Sequence, residues 1–395
     1  MKKSKCVILR TSRMSSKDMF SGPFFNTSSV ITTPLDAQIK VEIEELSRRD
    51  IPVITRDADI LALAPAMPMT LIAPVSINKK VKGDDTAWGV KAVRADTSRF
   101  SGENVVVAIL DTGIDLTHSA FTGIELVQRN FINPEATVED DVGHGTHCAG
   151  TVFGRAVEGV RIGVAPGVKR ALIGKVLGKN GGSTDAVISG IQWAADSGAH
   201  IISMSLGFDF PRYTKSLEGQ GYPLELAVSR ALEGYRANVM LFERLASFIR
   251  ARANPTIIVA ASGNESRRSL DPRFEISVSP PAVSDGIISV AAVGKMKGGW
   301  EVADFSNTGA SVSGPGVDVI SANVGGGLIG MSGTSMATPH VAGVAALWAQ
   351  AIMEQAPLSV MGLTSRLVGS GTYEGMKKGF DAFDLGAGLV VAPQN

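Results

Sequence analysis

The 395-residue sequence predicts an α/β fold: a doubly wound, mostly parallel sheet with helices on both faces, preceded by a small α+β N-terminal domain. Three observations lead there. From residue 105 onward, short apolar β-rich runs alternate with helical stretches, the pattern of parallel strands buried on both faces. Glycine is abundant (44 residues) and aromatics are few (6%), which suits tight turns and close backbone packing better than an aromatic ligand cage. The first eighty-odd residues differ in texture and end in a polar stretch, residues 78–85 (NKKVKGDD), that reads as a linker.

The expected domains are therefore 1–85 and 86–395. In the first, residues 6–9 read as a strand, 37–48 as an amphipathic helix, and 52–54 and 60–64 as strands. Residues 67–75 read as a further strand interrupted by Pro68 and Pro74. In the second, 105–110 (VVVAIL), 171–176, Ile201–Met204, Ile257–Ala261 and 287–293 are apolar, short and strand-like. Helices are expected at 185–197 and 340–351, and residues 224–253 read as one long helix or two. No internal repeat or low-complexity segment is present.

Composition narrows the function. Lysine plus arginine equals aspartate plus glutamate, 38 each, so no net field recruits nucleic acid or anionic lipid, and neither is an expected partner. The basic start resembles the head of a signal peptide. Its apolar run, residues 6–9, is shorter than an h-region of roughly 7–15 residues. The longest helical apolar run, 341–353, falls short of the ~20 residues that span a bilayer. A cytoplasmic protein is the expectation, with Cys6 and Cys148 as free thiols. The residues leave the oligomeric state open.

Four segments carry chemistry. Asp111-Thr-Gly-Ile-Asp115 follows the strand VVVAIL, at the carboxyl end where catalytic groups of open α/β sheets gather. Alone it reads equally as an Asx turn. An aspartic-protease pair is the sharper rival, but the chain has no second Asp-Thr-Gly or Asp-Ser-Gly. Next comes Gly143-His144-Gly-Thr-His147-Cys148-Ala-Gly150. It lacks the longer spacings of structural zinc, and no other His/Cys cluster supplies ligands, so no metal is expected. His147 reads as a buried helix residue, whereas His144 precedes the helix and is the candidate base.

Gly333-Thr-Ser335-Met-Ala-Thr-Pro339 opens a small, apolar and hence buried helix. Ser335 taken singly is an N-cap, with Pro339 confined to the first turn. A buried helix that points its positive end at an exposed hydroxyl also stabilises developing negative charge. Ala260-Ala-Ser-Gly263-Asn264 closes a strand and alone reads as a Gly-Asn turn.

Together, VAILDTGID, GHGTHCAGT, SMSLG, AASGN and GTSMATPHVAG resemble the successive signature blocks of the subtilisin-like serine protease (subtilase) family, in the family order Asp, His, Ser. The resemblance covers about residues 88–388 and implies a subtilisin-like sheet. It also implies roles. Ser335 attacks the scissile carbonyl, His144 relays the proton, and Asp111 fixes the imidazole tautomer. Asn264 and the Ser335 backbone N–H form the oxyanion hole. Gly181, Gly182 and Ser183, with Ser205, Leu206 and Gly207, line the cleft as edges that pair with an extended substrate, and Gly263 borders it.

The resemblance thus implies a serine endopeptidase of broad specificity acting on peptides or proteins, with no cofactor for catalysis. Two alternatives share the sequence: a subtilase-fold transamidase or macrocyclase, and a non-catalytic peptide-binding module. Three departures stand out. Ala120 replaces the calcium-ligating acid that many relatives carry, and residues 152–163 lack the Asn-rich loop that completes that site, so the common calcium site is lost, with structural calcium elsewhere left open. Residues 208–255 form a long insertion without an assignable role. Gly325-x-Gly327-x-x-Gly330 has dinucleotide spacing but no strand–helix context, and carries nothing. Residues 1–85 are expected to be a folding-assisting, inhibitory prodomain.

Overall fold

The computed structural model describes residues 3–12, 38–78 and 85–394. Its N-terminal part is a three-stranded antiparallel sheet in which β1 (Ser4–Ser12) lies between β2 (Gln38–Leu46) and β3 (Ile60–Pro65). The helix expected at 37–48 is therefore a strand. Ile39, Val41 and Ile43 alternate at period two, and the register pairs them with Thr11, Leu9 and Val7 of β1. With a partner strand available, β-branched side chains at that spacing settle on the pleat. The strand expected at 52–54 is instead the single-turn helix α1 (Ile51–Ile54), with its proline in the first turn. Ile54 covers the outer face of the sheet, where Cys6, Ile8 and Leu46 form a small core.

After β3 the chain enters β4 (Pro68–Leu71) and β5 (Ser76–Asn78). Of the expected linker, residues 79–84 lie outside the described residues. The short helix α2 (Trp88–Ala92) then leads into the main sheet. That sheet holds β6 (Val106–Asp111), β7 (Glu125–Asn130), β8 (Arg170–Lys175), β11 (Ile201–Met204), β13 (Ile257–Ala261) and β14 (Ile287–Met296) in parallel. The pair β15 (Gly299–Val302), antiparallel, and β16 (Val312–Pro315), parallel, completes it beside β14. Two two-residue strands, β9 (Leu177–Gly178) and β12 (Leu206–Gly207), and β10 (Gly181–Ser183) lie outside it, as does the hairpin β17 (Val319–Ala322) and β18 (Leu328–Ser332).

Alternate residues of the central strands feed two cores. Val107, Ile109, Ile173 and Val259 face a layer made by α3 (His144–Phe153), α7 (Thr334–Met353) and α8 (Val360–Gly369). Ala108, Leu110, Ile202 and Ile258 face α4 (Thr184–Asp196) and α6 (Leu224–Arg250). This is the doubly wound sheet with helices on both faces. Residues 224–250 make one helix, and α5 (Phe210–Gly219) precedes it, so the two form an α-hairpin; a last single turn is α9 (Ala382–Leu385).

The N-terminal sheet docks on the second layer. Val7, Leu9, Ile39 and Ala64 join its core, and Lys5 Nζ meets Asp185 at 2.7 Å. On α6, Asn238 donates to the Pro65 carbonyl (3.0 Å) and accepts from Thr184 (2.8 Å). Helix α6 thus forms part of the surface on which the N-terminal sheet docks. No helix among the described residues is long and apolar enough to cross a membrane.

Candidate active site

Asp111 ends β6, and His144 is the first residue of α3 rather than the residue before it. The two elements can meet because Gly145 has no Cβ: one there would lie 2.2 Å from the Gly113 carbonyl. Asp140, to which the sequence pattern assigned no role, laces the junction. Its carboxylate accepts from Thr112 Oγ1 (2.8 Å), Gly143 N (2.8 Å), Thr146 N (2.8 Å) and Thr146 Oγ1 (2.7 Å). Its signal was an acid placed just ahead of a helix, the position that tethers free N–H groups.

His144 Nδ1–H donates to Asp111 Oδ1 at 2.8 Å, and Thr112 N donates to the same oxygen. This bond leaves Nε2 as the basic nitrogen, and Nε2 has no partner among the described residues. Burial works against a charged His144, but the adjacent Asp111 carboxylate outweighs it and holds the imidazole well above its ordinary value. His147 points elsewhere, donating from Nε2 to the Val319 carbonyl at 3.0 Å, and burial pulls it down to about 3.

Ser335 is the second residue of α7, which starts six residues before the helix expected at 340–351. Pro339 accordingly sits in the second turn, not the first, and lacks the N–H that would bond the carbonyl four residues back. That carbonyl belongs to Ser335. Ser205 Oγ (3.0 Å) and Cys148 Sγ (3.4 Å) bond it instead, so both side chains steady the Ser335 backbone. Burial raises the Cys148 thiol, keeping it neutral. Asp111, His144 and Cys148 bring ligand-type atoms within 4.8 Å of one another, but the first two spend theirs on each other and the thiol keeps its proton.

Asn264 Oδ1 accepts from Thr334 N and Thr334 Oγ1, both at 2.9 Å, which turns its Nδ2 toward the cleft. Gly263 makes room behind it with φ +118°, where a Cβ would strike Asn307. At the position where the sequence departs from the calcium-ligating acid, Ala120 is fully buried and belongs to the same core as Phe121 and Phe153.

The expected exposed serine is not exposed. Ser335 is wholly buried, and its hydroxyl donates to the Ile72 carbonyl at 2.7 Å. Strand β4 lies in the cleft, antiparallel to both edges: Thr70 and Leu71 face Gly207 and Leu206, while Pro68 and Met69 face Ser183 and Gly182. Gly181 continues that edge by pairing with Gly178. Asn264 Nδ2 donates to the Ala73 carbonyl at 3.0 Å. Beside Asn264 opens a pocket of about 820 Å³, walled by Phe208, Tyr235, Phe274 and Ile276 with Glu265 and Ser279. Phe210 and Pro211 of α5 complete that wall.

Residues 102–371 match the model of the Subtilase family. The chain is 34% identical over 311 residues to Subtilisin DY of Bacillus licheniformis, covering 77% of this chain and 96% of that protein. It is 34% identical over 317 residues to the Thermostable alkaline protease of Halalkalibacterium halodurans (78% and 72% covered). Alkaline elastase YaB of Bacillus sp. (strain YaB) is 36% identical over 323 residues, again with 78% and 72% covered.

Proposed function

Because the chain belongs to the subtilase family and is a serine-type endopeptidase, we propose that Asp111, His144 and Ser335 are its catalytic triad. The observation that carries this is the buried Asp111–His144 bond, which leaves His144 Nε2 unpartnered at the helix end that presents Ser335. In turnover, Ser335 Oγ attacks the substrate carbonyl and passes its proton to His144, which returns it to the leaving amine. Asn264 Nδ2 and the Ser335 N–H, free of intrahelical partners at the helix start, receive the oxyanion. Water then releases the acyl group, which makes the reaction hydrolysis rather than transamidation. The intact donor set argues likewise against a silent binding module.

Residues 181–183 and 205–207 would hold substrate by main-chain pairing, which reads extended shape and supports broad specificity. The pocket beside Asn264 and Gly263 favours large apolar side chains on the acyl side of the cut. Residues 1–85 are read as an inhibitory prodomain of the peptidase domain 86–395, because β4 occupies the same edges a substrate would use. A cytoplasmic location is proposed on the two free, buried thiols.

The test is a mixed-peptide-library assay on residues 86–395, with residues 1–85 then supplied as a separate chain. Cleavage that falls as the segment is added supports both readings. Cleavage unaffected by the segment removes the prodomain, and full activity in Ser335→Ala removes the triad.

A further inference from the structure

We propose that the N-terminal segment places its Ala73–Pro74 bond at the position of the bond to be cut, and that Pro74 makes it a bond the enzyme leaves whole. The inference rests on the peptidase reading above and adds how the site is held off. The register is set from both sides. Upstream, residues 68–71 pair with the two cleft edges. Downstream, Val75 N donates to the Ser332 carbonyl at 2.7 Å, and Ser76, Ile77 and Asn78 pair with Ser332, Met331 and Gly330. Between these anchors the chain crosses the triad without a break. The carbonyl that receives the Asn264 amide is that of Ala73, so the bond next to it is Ala73–Pro74.

Cutting there would form a Ser335 Oγ–Ala73 carbonyl-carbon bond and move the hydroxyl proton to His144 Nε2. That proton would then go to the residue 74 nitrogen as the C–N bond breaks, and water would later free Ala73 as a carboxylate. Pro74 obstructs the middle of this sequence. Its nitrogen bears ring Cδ where other residues carry hydrogen, so carbon crowds the atom to which His144 must deliver the proton. The fixed φ also denies that nitrogen the rotation that would turn its lone pair toward the imidazole. A second feature acts earlier. The Ser335 hydroxyl donates to the Ile72 carbonyl, one residue short of the reacting bond, while His144 Nε2 has no partner among the described residues, so nucleophile and base are not joined. The segment is therefore a standing plug, and release of the cleft requires its displacement or a cut at some other bond.

The experiment replaces the proline in the full chain, as Pro74→Ser and as Pro74→Ala, and reads intact mass under denaturing conditions over time. Alongside, each protein is assayed on an added apolar peptide. Wild type should remain whole at 73–74, while both variants yield a fragment 1–73 and a fragment starting at residue 74. The expected rate gain is on the order of 100-fold or more, and it should vanish when Ser335→Ala is added. Variants that stay whole at this bond while still cutting the added peptide would overturn the lock and leave the peptidase reading standing. Wild type found cut between 73 and 74 would overturn it as well. Loss of both self-cleavage and peptide cleavage in every form would overturn the peptidase reading and the lock with it.

Discussion

The cleft end and the core end of α3 treat the same side chain in opposite ways. His144 and His147 are both buried, one turn apart, yet the first is held above its ordinary value and the second is pulled down to about 3. Burial penalises charge at both. Only His144 faces a carboxylate, Asp111 at 2.8 Å, whereas His147 faces a backbone carbonyl and lies near two other imidazoles, His144 and His340. A histidine in a protein core is neutral by default, and a positioned anion is what reverses that. Here one turn of helix separates an imidazole paired with a carboxylate from one that meets only a backbone carbonyl.

His144→Ala puts this contrast to its hardest test. Turnover should fall about 10⁴-fold or more, the scale of removing one member of such a triad, with the fold retained. Steady-state kinetics with a thermal melt checks both halves. An equal loss from His147→Ala, restored by added zinc, would erase the distinction between the two rings and point to a metal site instead.

His147→Ala should act on stability. It removes a buried ring and strands the Val319 carbonyl, so a loss of about 2–4 kcal/mol is expected, with turnover within about tenfold of wild type. Urea unfolding of the two variants side by side separates the roles.

Acid should pull the two histidines further apart. His147 (about 3) and His340 (about 4) titrate below the unfolded value of 6.5. Unfolding therefore takes up protons, and stability is lost as pH falls from about 6.5 towards those values, by on the order of 3 kcal/mol for each at pH 4. His144 has the opposite sign: its contribution is complete below 6.5 and fades as pH rises through its folded value. Since the base must be neutral, the acid limb of kcat/KM should lie above 6.5. Urea midpoints between pH 4 and 8 should flatten in His147→Gln, and a limb below 6.5 would contradict the Asp111 argument.

Smaller effects are expected at the thiol under the pair. Cys148→Ala should keep turnover within a few-fold of wild type while losing sensitivity to mercurials, because the thiol fills space against the Ser335 carbonyl. A dead variant would give the sulfur a larger role. The smallest effect should come from calcium. With Ala120 buried where relatives carry a ligating acid, melts in EDTA and in added calcium should nearly coincide, and a large shift at micromolar calcium would contradict the loss of the common site.

Local pattern was enough for the alternating architecture of residues 105 onward, since runs such as VVVAIL tolerate burial on both faces and little else. Asp111, His144, Ser335 and Asn264 were singled out only by the signature blocks taken together and in order, because the Asp111, Ser335 and Asn264 segments alone read equally well as turns or a helix cap. Long-range packing settled the rest. Residues 38–46 carry enough apolar side chains for a helix, and became a strand because β1 offered an edge on which Ile39 and Val41 pack. Asp140 became an organiser only when Thr112 and Thr146 were brought to it from two elements. Ser335 looked exposed because nothing near it in sequence covers it. Ile72 does so from 263 positions away, and such a contact exists only after the N-terminal sheet docks on α4 and α6. Neighbouring residues set backbone preference and which face is apolar, whereas burial and hydrogen-bond partners depend on what distant segments bring to that face.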